Sequence, residues 1–183
     1  VIAGDAPGDP RAEALVKERN AVMVPPFEHK LIMAGQGTAG LELANQAKAL
    51  GVSLDEVIVP CSGGGLAAGV ALAMEAASPE TKVRTAEPEG FDDTARSLAS
   101  GKRETNERRG GSICDALLSP SPGKLTVQVN RRLLGEGLVV SDAEAGAAVR
   151  FAFERLKLVL EPGGAVALAA IEDAVRLNGV AAK

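Results

Sequence analysis

The chain contains neither tryptophan nor tyrosine, and its 2% aromatic content consists of four phenylalanines. Single-stranded nucleic acid is usually held by stacking on aromatic rings in a basic groove, and a formal net charge of -4 offers no such groove. No nucleic-acid partner is expected. The single histidine, His29, cannot build a His-rich metal centre, and no G-x-S-x-G elbow accompanies it, so it reads as a surface-loop residue. The two cysteines, Cys61 and Cys114, are widely spaced, and together they are too few for a disulfide scaffold. They read as reduced, structural thiols of a cytoplasmic protein. No apolar run reaches the ~18 residues of a membrane span, and the N-terminus lacks the order of a signal peptide, so no membrane partner is expected. The chain opens on the β-like "VIAG" without a methionine, as a piece of a longer polypeptide would.

A content of 46% hydrophobic residues over 183 positions suffices for one well-buried domain. Short apolar or β-branched runs alternate with alanine-rich helical segments, the pattern of an α/β protein with a mostly parallel sheet flanked by helices. Strands are predicted near Val1–Ala3, Ala21–Val24, Glu56–Val59, Val83–Ala86 and Leu138–Val140. Helices are predicted over Pro10–Asn20, Thr38–Leu50, Leu66–Ala77, Asp142–Leu156 and Gly163–Leu177. Ser141 and Glu144 have the spacing of a capping box, Asp9 can cap with Pro10 in the first turn, and at Gln36-Gly37-Thr38 either Thr38 caps the helix it opens or the backbone amides also face a ligand cleft. Ala99–Lys124, rich in charge, Gly, Pro and Ser, carries no period; it reads as a long surface excursion, either a functional loop or a solvated insertion.

The segment "EVIVPCSGGGLAAGVALA", Glu56–Ala73, runs from a strand through consecutive glycines into a helix. Such a turn presents backbone N–H groups at the positive end of a helix dipole with no side chains in the way, which is an anion site suited to phosphate. It is not a P-loop, because Leu66-Ala67 stands where Lys and Ser or Thr are needed. Gly63, Gly65 and Ala68-Gly69 match the dinucleotide fingerprint only loosely, although Glu87 lies near its acidic position. Taken alone, the loop permits a dinucleotide or another phosphate ligand. Cys61, just before it, reads as a small core residue.

Together with "AGQGTAGLELANQ" (Ala34–Gln46), "VRTAEPEGFDD" (Val83–Asp93), "GSICDALLSPSPG" (Gly111–Gly123) and "RLKLVLEPGGAVALAA" (Arg155–Ala170), this segment resembles the threonine dehydratase and serine racemase family. These are pyridoxal-phosphate enzymes of the tryptophan synthase β-like fold. The resemblance runs along nearly the whole chain. It implies that Ser62, Gly63, Gly64, Gly65 and Leu66 hold the cofactor phosphate, that the backbone of Ala116 lies near the cofactor ring, and that Glu161 sits on the ring side of the pocket. It also implies a divalent-cation site for Mg²⁺, Mn²⁺ or Ca²⁺ made by Glu87, the Phe91 carbonyl and Asp93, whose oxygens suit a hard cation.

The same resemblance identifies what is not here. No Ser-Phe-Lys-like motif supplies the Schiff-base lysine, and neither the small N-terminal domain nor the Ser-Gly-Gly-Asn-like strand occurs in the sequence. Residues 1–183 therefore read as one cofactor-binding large domain, a fragment that lacks the catalytic base and is inactive alone. The function implied is a threonine or serine dehydratase, an ammonia-lyase that yields a 2-keto acid from a small amino acid and works as a homo-oligomer. A serine racemase or hydroxyaspartate dehydratase would share these residues, while a non-catalytic Rossmann-like phosphate-binding domain is the alternative of another class.

Overall fold

Glu56–Pro60 (β1), Lys82–Pro88 (β2) and Leu138–Val140 (β3) pair in the order β1-β2-β3, every pair parallel, with Val59 opposite Thr85 and Glu87 opposite Val139. Parallel neighbours require a crossover between them, and helices make these crossovers. The computed structural model describes residues 10–177, which contain the helices Pro10–Arg19 (α1), Lys30–Ala49 (α2), Gly65–Ala77 (α3), Asp93–Ser100 (α4), Lys124–Leu133 (α5), Asp142–Phe151 (α6) and Pro162–Leu177 (α7). One face of the sheet packs Val59 and Val83 against Ala67, Val70 and Met74 of α3 and Ala44 of α2. The other packs Ala86 and Val140 against Ala145 and Ala148 of α6 and Ala165 and Val166 of α7. The expected α/β architecture, a parallel sheet between two helix layers, is present. Among the described residues no helix is long and apolar enough to cross a membrane.

Three of the predicted strands and the helices α1, α3, α6 and α7 form where the sequence places them. The capping box forms too: Ser141 accepts from the Glu144 N–H while the Glu144 carboxylate takes the Ser141 N–H at 2.7 Å. After Phe151 the helix continues through a π-helical turn, Ala152–Leu156, so the predicted span to Leu156 stands. Val1–Ala3 and the Asp9 cap lie outside the described residues.

Other expectations fail for identifiable reasons. Ala21–Val24 is irregular and exposed, with Val22 88% and Val24 69% accessible; β-branched residues do not make a strand without a partner to pair with. Helix α2 begins at Lys30 rather than Thr38, so Thr38 lies mid-helix with its hydroxyl donating to the Gly35 carbonyl (2.6 Å). The cap is His29, an exposed residue whose Nδ1 accepts from the Leu31 N–H (3.1 Å). Gly35 and Gly37 hide this early start, since glycine is a poor helix former. At Gly37 and Gly69 the glycine is demanded by packing of α2 on α3: a Cβ on Gly69 would lie 2.3 Å from the Met33 carbonyl oxygen, and one on Gly37 would lie 2.8 Å from that of Gly69.

Helices α4 and α5 have no counterpart in the sequence prediction. In α5, Thr126, Val127 and Val129 look strand-like, yet Thr126, Val127 and Asn130 share a buried face at helical spacing. Its first turn is capped from afar, as the Leu125 N–H donates to Glu28 Oε1 (2.7 Å).

Replacing Gly69 by Ala should therefore destabilise the fold by ~2 kcal/mol, the usual scale for overpacking against backbone. Gly35→Ala, where no atom lies within 4 Å of the new Cβ, should be neutral or stabilising by up to ~1 kcal/mol. Thermal melting of the two variants checks the contrast, and equal melting temperatures would contradict the close α2–α3 contact.

Candidate cofactor-binding site

Strand β1 ends at Pro60, and Cys61 continues its ladder by donating to the Ala86 carbonyl (3.0 Å). The chain then turns through Ser62, Gly63 and Gly64 into α3. Gly64 has φ 86° and ψ 4°, a left-handed conformation that strains any residue with a Cβ. The space is as restrictive as the dihedral angle. A Cβ on Gly63 would stand 2.2 Å from the Phe27 ring, and one on Gly65 would meet Gln36 Oε1 at 2.7 Å. The Gly63 carbonyl accepts from the Gly123 N–H (3.1 Å) and the Thr126 hydroxyl (2.7 Å), and the Gly64 carbonyl from Asn130 Nδ2 (3.3 Å) and the Ala68 N–H (3.0 Å). The N–H groups of Gly65, Leu66 and Ala67 belong to the first turn, where no helical carbonyl precedes them.

This turn forms one wall of a cleft of about 860 Å³. All seven residues singled out for the cofactor, Ser62, Gly63, Gly64, Gly65, Leu66, Ala116 and Glu161, line it. Ala116 sits on a 3₁₀ turn, Asp115–Leu117, opposite the start of α7, where a Cβ on Gly163 would lie 3.3 Å from the Ala116 Cβ and 3.4 Å from Glu161 Oε1. Ser62 joins the two walls, since its Oγ accepts from the Ser119 N–H (3.3 Å). The irregular segment Ala99–Lys124 thus supplies part of the cleft, including Arg109, among the described residues the one cationic side chain on its lining. None of the described lysines lines the cleft.

The donors and the space fit a phosphate monoester: backbone N–H groups at a helix N-terminus, a serine hydroxyl, and a floor that admits no side chain. Sequence reading missed Phe27, Glu28, Arg109, Thr126 and Asn130, whereas Gln36, on the cleft lining, belongs to the Gln36-Gly37-Thr38 stretch it weighed. Each missed residue comes from an element distant in sequence, and of these only Arg109, within Ala99–Lys124, stood in a stretch already singled out.

The second cluster lies at the end of β2. Glu87, Phe91 and Asp93 are all buried, around a turn made at Gly90 (φ 81°). Glu87 caps α4, Oε1 accepting from the Thr94 N–H (3.0 Å) and Oε2 from the Ala95 N–H (2.6 Å). Asp93 Oδ1 accepts from Asn106 Nδ2, while Asp93 Oδ2 is buried with no partner. Burial, then the neighbouring Asp93 charge, push the Glu87 carboxyl up to about 8 against the two backbone N–H bonds; burial raises Asp93 to about 6 against the Asn106 hydrogen bond. Arg96 pairs with Asp92 (3.4 Å); its charge favours the Asp93 carboxylate, but among the described residues none forms an ion pair with Asp93. Among the described residues no group of three or more His, Cys, Asp or Glu side chains is placed to hold a metal, so a cation here would need carbonyl or water oxygens besides the two carboxylates.

Thr94 connects the clusters, its hydroxyl lying 3.4 Å from Cys61 Sγ and 3.5 Å from the Ser62 carbonyl. Burial and the Glu87 charge raise the Cys61 thiol well above its ordinary value, which suits a core thiol and not a nucleophile. Cys61 and Cys114 are both buried and free, as expected.

Residues 2–183 match the family model described as pyridoxal-phosphate dependent enzyme. The chain is 41% identical over 159 residues to a serine racemase of Oryza sativa subsp. indica, covering 87% of this chain and 45% of that protein. It is 34% identical over 182 residues to the biosynthetic chloroplastic threonine dehydratase of Arabidopsis thaliana, covering 98% of this chain and 30% of that one. Among solved structures, a threonine deaminase from T.th. superposes with a TM-score of 0.87 at 41% identity, over 91% of this chain and 56% of that chain. The chain thus spans about half the length of such relatives or less. The glycine loop, the cleft it borders and a family match over almost every residue agree on one conclusion: the chain belongs to the pyridoxal-phosphate dependent enzyme family, within its serine racemase and threonine dehydratase group.

Proposed function

We propose that this chain is the cofactor-binding part of an ammonia-lyase that converts threonine or serine into a 2-keto acid and ammonia. The observation that carries the cofactor assignment is the glycine turn, whose carbonyls are held by α5 while the first residues of α3, Gly65, Leu66 and Ala67, border the cleft. The lyase assignment is supported by the likeness to the threonine deaminase and threonine dehydratase named above. A serine racemase is a second reading, favoured by the 41% identity to the rice protein.

In this proposal the N–H groups of Gly65, Leu66 and Ala67 and the Ser62 hydroxyl hold the cofactor phosphate. The Ala116 backbone and Glu161 flank the ring, and the apolar wall at Phe27 keeps water from the phosphate end. Pyridoxal phosphate supplies the electron sink for an amino acid that loses its α-proton. The lysine that anchors the cofactor and takes that proton comes from the rest of the polypeptide, because none of the described lysines borders this cleft. The 183 residues alone are then inactive.

Full-length protein should carry a cofactor that borohydride fixes covalently, and should release a 2-keto acid and ammonia from L-threonine or L-serine. D-serine formed faster than keto acid would favour the racemase reading, and protein with no fixable cofactor would overturn both.

Glu87, Asp93 and the Phe91 carbonyl are proposed to hold a divalent cation, which supports the fold near the cleft rather than taking part in the chemistry. The unpartnered, buried Asp93 oxygen beside a second buried carboxylate motivates this site. Both carboxyls have raised values when folded, so the folded state keeps protons that the unfolded chain releases. Cation-free protein should accordingly lose stability as pH rises from the ordinary carboxylate range through about 6 and about 8. Added Mg²⁺ or Ca²⁺ should restore the melting temperature most at the alkaline end, and Asp93→Ala should abolish that response. A wild-type melting temperature indifferent to chelator across this range would rule the cation site out.

A further inference from the structure

Thr126 and Asn130 are polar side chains with no access to solvent, on the face of α5 that meets the glycine turn. Burying a hydroxyl and an amide is costly unless they are bonded; Thr126 Oγ1 donates to the Gly63 carbonyl (2.7 Å) and Asn130 Nδ2 to the Gly64 carbonyl (3.3 Å), while Asn130 Oδ1 is buried with no partner. The Gly123 N–H, at the cap of the same helix, adds a third bond to the Gly63 carbonyl (3.1 Å). In a trans peptide the carbonyl and the following N–H point in opposite directions. The Gly64 carbonyl takes the Ala68 N–H (3.0 Å), the first bond of α3, together with Asn130 Nδ2; this shared direction turns the Gly65 N–H away from α5, and Gly65 borders the cleft.

The helix that does this is itself anchored. Glu28 Oε1 accepts the Leu125 N–H (2.7 Å), and the preceding residue, Phe27, occupies the space over Gly63 and Gly65. No side chain fits at Gly64, because a Cβ there would stand 2.8 Å from Asn130 Nδ2. Both side chains are neutral, so they orient the turn without adding charge that would compete for the anion.

We propose that Thr126 and Asn130 are positioning residues for phosphate recognition: they clamp the Gly63 and Gly64 carbonyls and so preset the turn's N–H groups before any anion arrives. A preset turn avoids the ordering cost a free glycine loop would meet on binding. This rests on the reading of the loop as the phosphate site.

The test compares the affinity of full-length protein for pyridoxal phosphate with its affinity for pyridoxal, which lacks the phosphate, by absorbance or fluorescence titration. The ratio isolates the phosphate contribution, because the anchoring lysine serves both ligands. Thr126→Val, nearly the same shape without the hydroxyl, should lower the ratio about tenfold, the scale of one pinned hydrogen bond. Thr126→Ser should return it to the wild-type value. Asn130→Leu should lower it likewise, and provides the readout if Thr126→Val does not fold. An unchanged ratio in the variants, or affinities for both ligands falling in proportion, overturns the clamp. Wild-type protein that binds pyridoxal as tightly as pyridoxal phosphate instead overturns the phosphate site itself, and the clamp with it.

Discussion

Between Pro60, the last residue of β1, and Gly65, the first of α3, the backbone must change direction while enclosed by the Phe27 ring, Thr126 and Asn130. Gly63, Gly64 and Gly65 satisfy that enclosure because they present no Cβ, and Gly64 also takes the left-handed dihedral the turn requires. The start of α3 is fixed in turn by the close passage of α2, where Gly37 and Gly69 bring two helix backbones together. Substituting any of these glycines forces a shift of neighbouring atoms. The wall of the cleft is thus a rigid feature, built where a parallel strand hands over to a helix, the place where α/β proteins commonly bind phosphates.

The buried carboxylates at the end of β2 are joined to this wall. Glu87 caps α4, and Thr94 in the first turn of α4 touches both Cys61 and the Ser62 carbonyl. A buried carboxylate without a cationic partner is costly, and the raised values of Glu87 and Asp93 express that cost. The first turn of α4 is therefore held by Glu87 on one side and meets the start of the glycine turn on the other.

Much of this was legible in the residues. Apolar runs alternating with alanine-rich stretches located the three strands and four of the helices, and the Ser141–Glu144 capping box formed as written. The seven residues marked for the cofactor came together on one cleft. What was not legible depended on remote partners. Helix α2 starts eight residues early because His29 caps it and because α3 needs Gly37, which looked like a breaker. Helix α5 hides behind β-branched residues and takes its cap from Glu28, 97 positions away from Leu125 in the sequence. Ala21–Val24 has strand composition and no strand to pair with.

The sequence by itself determined the class of fold, the glycine turn and the kind of ligand that turn can take, because hydrophobic period and the absence of side chains are local properties. Only the tertiary structure decided which way the turn faces and what holds it. Those depend on where the Gly63 and Gly64 carbonyls find donors, and Thr126 and Asn130 reach them from 63 and 66 residues further along the chain. Hydrogen bonds across such separations have no signature in local pattern, since the residues meet only after two helices have packed.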